Sequence, residues 1–233
     1  MKAVILAGGL GTRLRPFTQV IPKPLLPVGE SSVLEIQLLS LKQHGVSQVF
    51  IATNHLSELV AAYIGDGSKY ALKVEFSKED EPLGTCGPVS LLRDKLTEPF
   101  LLVNGDVLTT LDFRRVYDFA AKVDADLTVV TKEIVTPFEF GQVLGAGDYI
   151  EKLQEKPDLK FEILAGIYVL RPALFDTIPY NRPYGIDALI CDLLRVGRKV
   201  GKYLMHEYRL DIGHRGTYEE AQEAYREHFR ALR

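Results

Sequence analysis

The residues best placed to do chemistry come early. Leu6-Ala7-Gly8-Gly9-Leu10-Gly11-Thr12-Arg13-Leu14-Arg15-Pro16 follows directly on a short apolar run, MKAVI. Glycines there let the backbone approach a ligand closely, and consecutive amide N–H groups form an anion-binding concavity. The glycines alone suit an ordinary tight turn equally well. Arg13 shifts the balance, because a planar guanidinium beside an amide-lined cradle matches a polyphosphate. The stretch is neither a Walker A loop, since no GK[ST] follows, nor GxGxxG. Lys23 stands between Pro22 and Pro24, and the prolines fix the backbone that carries its ammonium. Asp106 ends the apolar run FLLVNGD. A carboxylate there faces the ends of strands, although a turn or helix-cap role suits it too, and Asp112 competes as the next helix cap. His44, His55, His206, His214 and His228 show no metal-ligand spacing, and no GxSxG elbow occurs.

These groups need elements to carry them. KAVILA, QVFIAT, LKVEFS and FLLVNGD read as strands, alternating with the helix-period segments SVLEIQLLSLKQHG, LSELVAAYIG and PVSLLRDKL. That alternation predicts a Rossmann-like three-layer αβα sandwich with a mostly parallel central sheet. In such sheets ligands bind at the carboxyl ends of strands, so the loops after Ala7, Thr53, Ser77 and Asn104 are expected to converge on one crevice. The second half predicts a mixed C-terminal extension, with strands at LTVVTKE, QVLGAG, YIEKLQEKP and FEILAGIYVLR and helices at IDALICDLLRVG and TYEEAQEAYREHFRAL.

Length and composition bound the reading. A chain of 233 residues with 46% hydrophobic content can bury a full core. One domain over 1–233 is expected, in two parts over about 1–110 and about 111–233. Net charge is −3 and no basic run appears, so nucleic acid and anionic membranes are not expected partners. Cys86 and Cys191 stand far apart and read as reduced thiols. The opening apolar run is too short for a signal peptide, and no segment is long enough to span a membrane. A cytoplasmic protein, as a monomer or small homo-oligomer, is expected.

LAGGLGTRLRPFT followed by PKPLLPVG resembles the signature of the sugar nucleotidyltransferases, the nucleotide-sugar pyrophosphorylases. EPLGTCGP, VNGD, EKP, AGIYVL and LDIG extend the resemblance over nearly the whole chain. It implies that an NTP and a sugar 1-phosphate give an NDP-sugar and pyrophosphate, with Mg²⁺ as cofactor, the nucleotide-binding part lying over about 1–110 and the sugar-phosphate-binding part over about 111–233. It places Leu6, Ala7, Gly8, Gly9, Gly11, Thr12 and Arg13 around the nucleotide, with Arg13 on the β and γ phosphates and Lys23 bridging the reacting phosphates. Asp106 and Asp211 resemble paired Mg²⁺ ligands. Asn104, Gly141, Glu155, Lys156 and Ala165, with Lys23, fall at sugar-phosphate positions. Adjacent strand residues point to opposite faces, so Glu155 and Lys156 serve one ligand only where the strand ends or bends, as Pro157 suggests. Two departures are visible: Leu164 stands where relatives carry Asn, and Phe140 where they carry Tyr, so the sugar is left open.

The base reader of the family falls five residues before Gly84, at Glu79, with Pro82 and Thr85 alongside. A carboxylate only accepts hydrogen bonds and so matches the N1–H and N2–H donors of guanine side by side, which makes GTP the expected substrate. The solvated run KEDE is the competing reading of Glu79. UTP or dTTP is the alternative, and a nucleotide-sensing regulatory subunit is a further one, although such a subunit is expected to lack Arg13, Lys23 or Asp106. Molybdenum-cofactor guanylyltransferases share the opening turn but not PKP, PLGT and EKP. No hexapeptide repeat follows, which points away from bifunctional acetyltransferases. The ending HEYRLDIGHRGTYEEAQ resembles guanylyltransferases for heptose, mannose or amino-sugar phosphates.

Overall fold

The structure, a computed structural model, describes residues 1–232. The first strand, β1 (Lys2–Leu6), is apolar on both faces because it is buried on both: Ala3 and Ile5 pack into one core and Val4 into another. The chain then runs through helix α1 (Val33–Gln43) to β2 (Gln48–Thr53) and through α2 (Ser57–Ile64) to β3 (Lys73–Lys78). Strand β4 (Phe100–Asn104) returns to the opposite side of β1. Strands β1 to β4 are mutually parallel where they pair. The direction of strand addition therefore reverses at β1, and in open α/β sheets such a switch point opens a crevice at the carboxyl ends. The glycine-rich turn and the Asn104–Asp106 turn leave their strands side by side at that crevice.

Helix α3 (Phe113–Val123) follows, with Asp112 as its N-cap accepting the Arg114 and Arg115 amides at 3.0 and 3.1 Å. Long strands β5 (Leu127–Pro137) and β6 (Asp158–Leu170) form an antiparallel pair. Strand β6 is the antiparallel member of the sheet, between β4 and β5. After α4 (Ile186–Arg195), β7 (Val200–Met205) closes the seven-stranded order β7-β5-β6-β4-β1-β2-β3. The β5–β6 register shifts between Leu164 and Tyr168, where Gly166 adopts φ +77° against Asn104 and Val107. Beyond that bulge the ribbon leaves the sheet, and residues 133–156 are exposed almost throughout.

Two cores flank the sheet, one under α1 to α3 and the other under α4. A third joins Leu14, Leu26 and Val28 to Leu108, Leu210 and Ile212 and to Ala221, Tyr225 and Phe229. It fastens the glycine-rich segment to a short antiparallel ribbon, Val107–Thr109 with Arg209–Asp211, and to α5 (Arg215–Ala224). Two expectations are corrected. PVSLLRDKL forms a 3-10 turn over Gly87–Leu92 rather than an α-helix, because the Ser90 hydroxyl bonds the Gly87 carbonyl at 2.7 Å and receives the Asn181 amide at 3.0 Å. The last helix widens into a π turn at Tyr225–Phe229, where the Tyr225 ring lies against Gly29. No described helix is long and apolar enough to cross a membrane.

Replacing Asp112 by Ala removes both cap bonds. The expected cost is about 1 kcal/mol, read as a lower urea midpoint with unchanged slope.

Candidate active site

The crevice at the ends of β1 and β4 is a cavity of about 360 Å³. Leu6, Ala7, Gly8, Gly9, Gly11, Thr12, Arg13, Lys23, Glu79, Pro82, Gly84, Thr85, Asn104 and Asp106 all line it, so distant parts of the sequence meet there as expected. Pro24, Gly105 and Gly213 also line it. They lie inside PKP, VNGD and LDIG, which made them visible as motif members, but they were not singled out.

Two glycines of the cradle, Gly8 and Gly11, are constrained by their surroundings. A Cβ on Gly8 would stand 2.8 Å from Glu79 Oε1, so the bare Cα is what lets this carboxylate approach. Gly11 adopts φ +59°, and a Cβ there would press on Thr18 and on the Cβ of Lys23. The Thr18 hydroxyl donates to the Gly11 carbonyl at 2.7 Å, tying the turn to the proline-flanked loop. Lys23 in turn holds the Asp106 carboxylate in a salt bridge across the cavity. A side chain on Gly105 would collide with the Leu6 carbonyl oxygen, so only glycine lets the Asp106 turn pack on β1.

At the other end, Glu79 is 5% exposed. Its Oε2 accepts the Leu83 amide at 2.9 Å, and the Asn54 amide donates to its main-chain carbonyl at 2.9 Å. Burial raises its proton affinity above the usual carboxylate range, while the Leu83 amide pulls the other way. An acceptor withheld from water at a cavity wall is suited to a ligand's N–H donors. The Gly84–Gly87 segment beside it is fixed by residues leading into α4. Tyr184 accepts the Cys86 and Gly87 amides at 3.0 Å, and Thr85 Oγ1 accepts the Ile186 amide at 2.9 Å.

The 107–109/209–211 ribbon brings the two acids together, with Asp211 opposite Val107 and the Ile212 amide donating to the Asp106 carbonyl at 2.9 Å. Burial, and then the charge of Asp106, raise the proton affinity of Asp211, while Lys23, Arg209 and Arg13 oppose the rise. Asp211 Oδ1 is buried without a hydrogen-bond partner among the described residues. No cluster of three or more His, Cys, Asp or Glu suited to a metal occurs among the described residues. Two oxygen-ligating acids with one orphaned oxygen fit a divalent cation whose other ligands come from phosphate and water.

The sugar-side residues are placed differently. Gly141, Glu155, Lys156 and Ala165 do not line the cavity. Gly141 does face Glu155, its virtual Cβ lying 3.3 Å from Oε2. Lys156 has φ +43°, so the chain bends at the position where Glu155 and Lys156 need it to. Both sit on the exposed ribbon. Ala165 is fully buried, and its carbonyl accepts Arg209 Nε at 3.2 Å. Arg209 and Gln37 were missed; nothing local marks either one, and only tertiary packing brings them to Ala165 and to the Asn104–Val107 turn.

Gly8→Ala is expected to weaken nucleoside triphosphate binding by about tenfold or more, since the clash displaces Glu79 or closes the cradle. Calorimetric titration checks this, with an unchanged melting temperature marking an intact fold.

The comparisons with known proteins agree with this geometry. The family described as nucleotidyl transferase matches residues 2–228. Mannose-1-phosphate guanylyltransferase 1 of Arabidopsis thaliana is 34% identical over 222 residues, 91% of this chain and 61% of that protein. The mannose-1-phosphate guanyltransferase of Schizosaccharomyces pombe is 34% identical over 223 residues with the same coverage. The chain thus spans 61% of the length of these curated relatives. A Bacillus anthracis structure, provisionally described as a glucose-1-phosphate thymidylyltransferase in complex with a sucrose, has a TM-score of 0.80. It is 25% identical, over 97% of this chain and 95% of that one. With the family match covering nearly all of the sequence, the chain belongs to the nucleotidyl transferase family.

Proposed function

We propose that the protein transfers the guanylyl group of GTP to a sugar 1-phosphate, releasing pyrophosphate and forming a GDP-sugar. The observation that carries the reading is one cavity holding a glycine cradle, Arg13, Lys23 and Asp106, with the buried Glu79 carboxylate beside Gly8 in its wall. An oxygen of the sugar phosphate attacks the α-phosphorus, a new P–O bond forms, and the bond to the β-phosphate oxygen breaks. No covalent enzyme intermediate is required, so positioning and charge neutralisation carry the rate. Main-chain amides of Gly8 to Gly11 hold phosphate oxygens. Arg13 takes the charge that grows on the departing pyrophosphate, and Lys23 bridges the reacting phosphates. Asp106 and Asp211 would hold Mg²⁺, which supplies further charge neutralisation at the phosphates when bound.

Glu79 reads the base. Its free oxygen accepts from guanine N1–H and N2–H, whereas uracil offers one such donor flanked by carbonyls and adenine an acceptor at N1. On the acceptor side, Gly141, Glu155 and Lys156 take the sugar and its phosphate. The names of the guanylyltransferase relatives make mannose 1-phosphate the first sugar to test. Consumption of NTP suits a cytoplasmic enzyme.

A matrix of NTPs against sugar 1-phosphates, with pyrophosphate release measured, tests the reading. GTP is expected to be preferred over UTP and dTTP by about ten- to hundredfold, the worth of one charge-assisted contact. Asp106→Asn is expected to lower kcat by about 10²-fold or more while the protein stays folded.

Glu79→Gln separates recognition from stability. The folded state holds this carboxylate with raised proton affinity, so ionised Glu79 disfavours folding above the carboxylate range and not below it. The variant is expected to lose the GTP preference yet melt higher than wild type at neutral pH. That gain should disappear in acid, where Glu79 is protonated in both states. Parallel melting curves across pH check the sign.

A further inference from the structure

Gln37 lies in the middle of α1, buried among Val33, Leu34, Ile36, Leu38, Ser40 and Leu41 of the same helix. Its Nε2 is 2.8 Å from the main-chain carbonyls of both Asn104 and Val107. These are the first and last carbonyls of the turn Asn104-Gly105-Asp106-Val107, so both amide hydrogens of one planar group are committed to the segment that carries Asp106. The remaining acceptor, Oε1, is buried without a partner among the described residues. The unmade bond at Oε1 disfavours folding, whereas the two bonds from Nε2 satisfy main-chain carbonyls of the turn. What Gln37 contributes is therefore its hold on that turn.

We infer that Gln37 is a positioning residue for nucleotidyl transfer, clamping the turn so that Asp106 stays beside Lys23 and near Asp211. The inference rests on the proposed function, and it concerns a residue that does not line the cavity. Besides the ribbon bond from the Ile212 amide and the Lys23 salt bridge, the turn has two tethers to the layers beneath it. On the β1 side the Gly105 amide donates to the Leu6 carbonyl at 2.9 Å; on the α1 side there is Gln37. Losing the second tether frees Asp106 to shift while leaving the glycine cradle in place. The effect therefore falls on the chemical step rather than on nucleotide binding.

Gln37→Met keeps the volume and removes both donors, and Gln37→Glu keeps the shape but presents an ionised acceptor to two carbonyls. Each is expected to lower kcat by about 10- to 100-fold, as a small misplacement of a reacting group does, with KM and calorimetric affinity for GTP changed less than about threefold. Hydrogen exchange at the amides of residues 105–107 is expected to quicken in the Met variant, a readout independent of turnover. A role in packing alone predicts wild-type kcat in the Met variant, and that result overturns the inference. So does unchanged exchange at residues 105–107, whether or not the protein turns over. Absence of pyrophosphate release by wild type with every NTP and sugar 1-phosphate instead overturns the functional reading, and the exchange data then still decide whether the clamp exists.

Discussion

The salt bridge between Lys23 and Asp106 is the contact on which the site depends. It spans the cavity, joining a loop stiffened by prolines to the turn at the end of β4. Neither partner is fully exposed, with side chains 12% and 25% accessible, so the attraction is less screened than that of a surface pair. Each end needs its own support. The Lys23 loop is tied back through Thr18 and Gly11 and seated on Leu14, Leu26 and Val28 in the third core. The Asp106 turn is seated on β1 by a glycine that admits the Leu6 carbonyl.

From this constraint the wider architecture makes sense. The sheet reverses its direction of growth at β1, which sets the two turns side by side. The short 107–109/209–211 ribbon then delivers Asp211 to the same place from about a hundred residues further along the chain, a distance only tertiary pairing can span. Charge is gathered here: Arg13, Lys23 and Asp106 line the cavity, Asp211 lies next to Asp106 on the ribbon, and Lys23, Arg209 and Arg13 oppose the rise in proton affinity that burial and Asp106 give Asp211. Such an arrangement is costly for folding in isolation and suited to a ligand that brings phosphates and a metal. The exposed ribbon over 133–156 stands apart, carrying Glu155 and Lys156 outside the cavity rather than on its wall.

Much of this was legible because local signals agreed. The strands at 2–6, 48–53, 73–78 and 100–104 are apolar runs bounded by turn residues, and the glycine-rich turn, PKP and VNGD stand at loop positions where a parallel sheet gathers ligands. Asp112 reads as a cap and is one. What was not legible depends on distant partners. Strand β7 contains Gly201 and Lys202 and shows little alternation; it forms because it pairs with β5 over Val200–Met205. The Gly87–Leu92 segment has helical periodicity, but Ser90 and residues before α4 capture its polar groups. Glu79 was picked out by the resemblance, against the competing reading of a solvated run, but its burial against Gly8 follows from packing that the run does not reveal.

The central claim is that this crevice is where the nucleoside triphosphate binds. Hydrogen exchange of the whole protein, with and without GTP and Mg²⁺, tests it most directly. The account predicts that GTP slows exchange at the amides of residues 8–13 and 83–85 and at the Asn104–Asp106 turn, with little change on α3 or β7. Protection confined to another part of the sheet, or none at saturating GTP, would contradict it.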